Sequence, residues 1–383
     1  MDRRAFLSVL AATGGALAAG GLLPASAGAS ANPAAPAGGR RTRHLVLVAF
    51  AGGVRTRETF GTPANVPTLA GLAREGVLYT RARTANLGHF GAALSIFTGI
   101  AEQRGIRENA RGNDVTLFEY LRKDLGWGPN EAWIATSGGA QQVNYAYGLH
   151  PEYGARFGAN TLDGEGIFNR EFKALLEAWG RPRAWSAQEE RDLEALRAAL
   201  ARRAGAGAAP ASSSQVERFL LQELTRGTSD LAGANASDAK ALRVARNLLT
   251  LFKPRLVAVV LQDADIAHGN FNGYVEVVRR NDAALGELVQ SIRQDPELAG
   301  STAIVVVPEF GRDRDLNSRR GLDHGDGSAD LASVTCTCWG PDFRRNVVVE
   351  EEVGVVDVAP SVCELFGAKA RFARGRRLPG LFA

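Results

Sequence analysis

Four short segments hold most of the side chains able to do chemistry in this 383-residue chain. The first is Asp263-Ala264-Asp265-Ile266-Ala267-His268, which follows an apolar run ending at Leu261. Carboxylate and imidazole leaving one strand end can converge on a divalent metal, the mixed N/O set that Zn²⁺ or Mn²⁺ accepts. The second is Pro308-Glu309-Phe310-Gly311-Arg312, again after an apolar run, and the third is Gly321-Leu322-Asp323-His324-Gly325-Asp326-Gly327, whose glycines mark a loop. The chain has only five histidines, and two of them, His268 and His324, stand in acidic segments beyond strand ends. Either one alone reads as an ordinary surface or hydrogen-bonded histidine; the two together point to a metal. The fourth segment, Thr84-Ala85-Asn86-Leu87-Gly88-His89-Phe90, precedes an apolar helical stretch ending at Phe97-Thr98-Gly99. A helix N-terminus offers free N–H groups to an anion, and hydrolases commonly place a nucleophile there. A plain loop-to-helix turn fits this segment as well.

Four apolar runs must position these residues: His44 to Phe50, Ala132 to Thr136, Leu256 to Leu261 and Thr302 to Val307. Unbroken apolar runs suit strands buried on both faces of a parallel sheet. Amphipathic helical patterns lie between them, at Val66 to Glu75, Leu117 to Asp124 and Tyr274 to Arg293. The alternation predicts an α/β fold: a doubly wound, mostly parallel sheet with helices on both faces. Ligands in such sheets sit beyond the carboxyl ends of the strands. Residues 151–250 differ, being rich in Ala, Arg, Glu and Leu and broken by the loop-like Gly205 to Ser214. They read as a helical insertion or cap within an α/β domain spanning 43–383.

Lysine and arginine (45) exceed aspartate and glutamate (41) by only four, which argues against a nucleic-acid binder. Cys336, Cys338 and Cys363 cannot make a disulfide framework and read as small buried apolar residues. Residues 1–31 open with Asp2-Arg3-Arg4-Ala5-Phe6-Leu7, continue in a weakly apolar Ala/Gly run and offer small-residue cleavage sites at Ala25-Ser26-Ala27 and Ala29-Ser30-Ala31. This is the pattern of a twin-arginine (Tat) signal, which carries folded proteins across the bacterial inner membrane. Residues 32–42 then form a flexible lead-in. The expected location is the periplasm or beyond, with the Tat translocase as a partner and no stable membrane span.

Five ordered segments resemble the alkaline phosphatase/sulfatase superfamily. Asn65 to Val77 is similar to its "P-x-L-x-x-L-A-x-E-G-V" helix, and Ser95-Ile96-Phe97-Thr98-Gly99 to the "S-L-L-T-G" end of its nucleophile helix. Tyr274 to Arg293 with the following strand, Asp357 to Gly367, and Gly375-Arg376-Arg377-Leu378 resemble later blocks in the same order. Glu309-Phe310-Gly311-Arg312 with Asp323-His324 resembles a Tat-exported branch carrying "S-E-F-G-R…D-H".

The resemblance implies an alkaline-phosphatase-like fold and two metal ions. One ion is held by an Asp and a His a few residues apart plus a distant His, which Asp263, His268 and His324 match, with Asp265 a competing carboxylate. The other needs an Asp ending the first strand, an Asp-His pair and the nucleophile. Here the first-strand position is Ala51 or a neighbouring glycine, and the pair reads Glu309-Phe310, so the carboxylate is kept and the imidazole is not. One alignment puts Ala85 at the nucleophile position with Thr84 beside it; another puts His89 there. The implied function is an exported, metal-dependent hydrolase of small anionic phosphate or sulfate esters with a reduced, one-ion site. In it Zn or Mn would polarise the ester, Thr84 or His89 would attack or assist, Arg312 would bind the anionic group, and Glu309 would lie at the metal. The alternative is a catalytically inactive member acting as a periplasmic binding or assembly protein.

Overall fold

The computed structural model describes residues 39–103, 111–128, 131–137, 145–163 and 237–383. The signal sequence over 1–31, most of the lead-in 32–42 and the bulk of the 151–250 segment lie outside the described residues.

The described chain runs β1 (His44–Phe50), α1 (Pro67–Glu75), β2 (Val77–Arg83), α2 (His89–Thr98), α3 (Leu117–Asp124), β3 (Ala132–Thr136), β4 (Asn160–Asp163), α4 (Ser237–Phe252) and β5 (Leu256–Leu261). A 3₁₀ turn (Asp263–His268) follows β5; then come α5 (Phe271–Gln294), β6 (Thr302–Pro308), β7 (Ser333–Trp339), β8 (Val347–Val349), β9 (Val353–Gly354) and α6 (Val358–Phe366). The strands form one sheet in the order β4-β3-β5-β1-β6-β7-β2-β8, with β9 also pairing β2. All of its ladders are parallel except the two made by β7. The four apolar runs are its strands β1, β3, β5 and β6, and β1 lies between β5 and β6 in parallel register.

Burial explains the centre of the sheet. Every residue of β1, β5 and β6 is buried, so neither face of these strands meets water. Leu45, Leu47 and Ala49 of β1 pack into one core with Phe97 of α2, Phe118 of α3 and Val362 of α6. Val46, Val48 and Phe50 face the opposite core, with Leu72 of α1, Leu242 of α4 and Val278 of α5. This period-two division between two helical layers is what a doubly wound sheet requires. Of the 151–250 segment, the described ends join this architecture directly: β4 is an edge strand, and α4 covers β5 and β3.

Side chains fix where helices begin. Thr116 and Glu119 form a reciprocal capping box at α3, with the Thr116 N–H donating to Glu119 Oε2 at 2.8 Å. Asn270 caps α5 by accepting from the Gly273 N–H at 2.8 Å. Asp282, in the middle of α5, accepts from the N–H groups of Thr68 and Leu69 in the first turn of α1, tying two helices of one layer together.

Candidate metal centre

Beyond the carboxyl ends of β1, β5 and β6, four side chains from three distant segments converge: His89, Asp265, His268 and His324. One donor atom from each lies within 4.8 Å of all the others. The placement follows from topology. Asp265 and His268 sit in the 3₁₀ turn that leaves β5, and His89 opens α2. His324 comes from the long connection between β6 and β7, and its ring lies 4.9 Å from that of His89 and 5.0 Å from that of His268.

Two of the imidazoles are held from behind by carboxylates. His89 Nδ1 is 2.6 Å from Glu309 Oε1 and 2.9 Å from the Ala51 carbonyl oxygen. Its Nε2 lies 3.0 Å from Asp265 Oδ1 but out of line for a hydrogen bond, and is left buried without another partner. His268 Nδ1 is 2.5 Å from Asp323 Oδ1, which leaves Nε2 facing Asp265 Oδ1 at 3.3 Å. A carboxylate on one ring nitrogen fixes the tautomer and aims the other nitrogen's lone pair, an arrangement that metal-binding histidines commonly share.

The charges sort themselves accordingly. Burial opposes protonation of His89, but the Asp265 and Glu309 carboxylates outweigh it and raise its pKa to about 10, so an ion bound at Nε2 would have to displace a proton. Burial, reinforced by the positive charges of His89 and Arg312, pushes His324 down to about 4, which favours its neutral, metal-ligating form. Burial works against ionised Asp265 too, yet His89 and Arg312 hold its carboxyl well below the usual range. Glu309, fully buried, is pushed up to about 7 by desolvation, and its Oε2 has no hydrogen-bond partner.

A divalent ion fits this donor set. Ligand atoms bound at roughly 2.0–2.2 Å stand about 3.4 Å apart around a tetrahedral ion and up to about 4.4 Å across an octahedral one, so four donors within 4.8 Å must draw together by about an ångström. The orphaned, buried His89 Nε2 is an atom such an ion would satisfy. Three imidazoles and one carboxylate suit Zn²⁺ or Mn²⁺. Asp265 is 47% exposed, so the centre opens to solvent on that side.

The remaining expected site residues lie otherwise. Asp263 faces away: its Oδ1 accepts from the Ser237 hydroxyl at 2.7 Å and its Oδ2 from the Asp238 N–H at 2.9 Å, at the start of α4. The tight 3₁₀ turn presents Asp265, and not Asp263, to the imidazoles. Glu309 stands behind His89 and not within the four-donor group. Thr84 donates its hydroxyl to the carbonyl oxygens of Glu309 at 2.7 Å and Asn86 at 2.8 Å, which braces the loop before α2. Arg312, expected to meet an anionic substrate, has no exposed surface and pairs with Asp265 Oδ1 at 2.5 Å. Nothing in the sequence pairs Asp323 with His268, although it stands beside His324 in the chain. The Asp-His doublet in a glycine-bounded loop was the available signal.

The profile of the family described as "Protein of unknown function (DUF1501)" matches residues 136–332, just over half of the chain. The chain belongs to the DUF1501 family. The matched span of this DUF1501 chain holds Asp265, His268, Glu309, Arg312 and His324, while His89 precedes it. No curated protein sequence matches the chain significantly. Among solved structures, a mutant of the alkaline phosphatase PafA superposes with a TM-score of 0.58 at 9% identity, covering 89% of this chain and 99% of that one. The phosphonate monoester hydrolase of Silicibacter pomeroyi gives 0.55 at 14% identity, covering 88% and 76%. The lipoteichoic acid synthase LtaP of Listeria monocytogenes gives 0.54 at 14%, covering 88% and 74%. At these identities the likeness is one of fold alone, and the fold is alkaline-phosphatase-like.

Proposed function

We propose that this DUF1501 chain is an exported metalloenzyme that hydrolyses phosphate or sulfate esters at a centre holding one divalent ion, Zn²⁺ or Mn²⁺. The observation that carries the reading is the convergence of His89, Asp265, His268 and His324, with Glu309 and Asp323 fixing two of the imidazoles from behind. The ester hydrolases among the structural neighbours support the reaction class. A bound divalent ion supplies Lewis acidity toward an ester oxygen. The residues supply the rest. Asp265 and the three imidazoles hold the ion, and the solvent-facing side at Asp265 admits the substrate. With Thr84 committed to two carbonyl oxygens and His89 engaged on Nδ1, water is the attacking group in this reading. Export rests on Arg3-Arg4 with Phe6-Leu7.

One observation favours a second reading, a non-catalytic binding protein. Four protein donors complete a tetrahedral ion, and zinc sites closed in this way are structural, whereas a six-coordinate ion keeps two positions open. The test is metal analysis of the purified protein, followed by assay on p-nitrophenyl phosphate, bis-p-nitrophenyl phosphate and p-nitrophenyl sulfate. Hydrolysis that is lost with chelator, restored by Mn²⁺ or Zn²⁺ and absent from Asp265→Asn supports the enzyme. Stoichiometric metal without turnover of any ester supports the binding protein, and a protein that takes up no divalent ion refutes both metal readings.

A further inference from the structure

The superfamily resemblance calls for a second ion, and the residues beside β1 and β6 do not fit one. Ala51 and Gly52-Gly53 stand where a carboxylate is required, and Phe310 brings an apolar ring to 4.9 Å from that of His89. The space is taken by another cation. Arg312 is fully buried, and its Nη2 donates to the Gly52 carbonyl oxygen and, at 2.5 Å, to Asp265 Oδ1. Its Nε donates to Gly53 O and its Nη1 to Leu322 O, each at 3.3 Å. Four of the guanidinium's five N–H groups are thus committed to oxygens that a metal ion would otherwise recruit.

We infer that the Arg312 guanidinium is a resident cation in the place of a second metal ion, making the centre mononuclear by construction. Sterics point the same way as charge. A β-carbon on Gly52 would come within 2.7 Å of the Asp265 backbone nitrogen and the Gln262 carbonyl oxygen. One on Gly53, whose φ is +67°, would come within 2.8 Å of Arg312 Nε, the Gly311 carbonyl oxygen and Phe310 Cε2. The two glycines therefore exclude the missing carboxylate and at the same time open their carbonyls to the guanidinium. Arg312 acts as a positioning residue: fully buried, it contacts the carboxylate of Asp265 and presents no surface to solvent. A permanent charge on a covalent tether cannot be lost to a chelator, and it repels any second ion from the oxygens it holds.

The inference rests on the metal-centre reading, and the experiment separates the two. Wild-type protein is dialysed against excess Mn²⁺, and bound metal per chain is measured together with the electron paramagnetic resonance spectrum. One ion per chain with the six-line spectrum of an isolated Mn²⁺ is expected. Two ions per chain with the exchange-coupled signal of a close pair overturn the role of Arg312 while leaving a metal centre in place. No bound ion overturns the metal-centre reading and this inference with it. Arg312→Ala and Arg312→Lys then test the cause. Loss of the charge in the alanine variant should admit a second equivalent at millimolar Mn²⁺, and the lysine variant should hold at one. A folded alanine variant that still saturates at one ion overturns the claim that the guanidinium excludes the second. Should that variant not fold, Arg312→Met, similar in length but uncharged, takes its place under the same criterion.

Discussion

At the scale of single residues, the centre depends as much on the groups behind the imidazoles as on the imidazoles themselves. Glu309 Oε1 lies 2.6 Å from His89 Nδ1, and Asp323 Oδ1 lies 2.5 Å from His268 Nδ1. Replacing either carboxylate leaves the donor atoms in place but frees a ring to rotate. Glu309→Gln and Asp323→Asn should each weaken ion affinity by about ten- to a hundredfold in a competition titration with a chromophoric chelator. Unchanged affinity in both would mean that these carboxylates do not orient the rings. The two aspartates of the 3₁₀ turn should separate cleanly in the same assay. Asp265→Asn should abolish tight binding, whereas Asp263→Asn should leave it intact and cost about 1 kcal/mol of stability through its lost bonds to Ser237 and Asp238. Histidines are scarce in this chain, which is why His268 and His324 were legible in the sequence. The choice between Asp263 and Asp265 was not, because residues two apart face differently in a strand, a helix and a 3₁₀ turn. The burial of Arg312 was not legible for a related reason. Its burial depends on two glycines some 260 positions away, whose missing side chains leave the cavity it fills.

At the scale of elements, the apolar runs specified the middle of the sheet because strands buried on both faces carry an unbroken apolar signature. In the flank, β2 and β8 are partly exposed, and β7, although buried, runs antiparallel and interleaves Thr335 and Thr337 with its cysteines, so none of them carries such a mark. One junction between elements should also respond to pH. Asp238, in the first turn of α4, is fully buried and accepts from the N–H groups of Gln262 and Asp263 where β5 ends. Burial, with the Asp263 carboxylate adding to it, pushes its pKa up to about 7. A carboxyl raised in the fold binds its proton more tightly folded than unfolded. Its stabilising contribution is therefore complete below the unfolded value near 4 and is lost as pH rises through about 7. The urea midpoint of wild type should fall between pH 5 and pH 8 by more than that of Asp238→Asn. Equal slopes in the two proteins would show that Asp238 ionises freely in the fold.

At the scale of the whole molecule, the centre exists only once the chain has folded. Four of the sheet's nine strands lie between His89 and His324 in sequence, and their rings meet only because β1, β5 and β6 end side by side. Ion binding at the proposed centre would therefore be coupled to folding, and the compartment where the chain folds would decide which ion it meets. Twin-arginine export moves folded chains, so the proposed route fixes loading in the cytoplasm. This separates it from export as an unfolded chain, in which the centre would form and load outside. Arg3→Lys combined with Arg4→Lys should hold the protein in the cytoplasm in folded form. The retained variant should carry one equivalent of the same ion as exported wild type, as measured by elemental analysis of both. Undiminished export of the double variant would refute the twin-arginine route. A retained variant that is folded but metal-free, beside a metal-loaded exported wild type, would show instead that the ion is acquired after translocation.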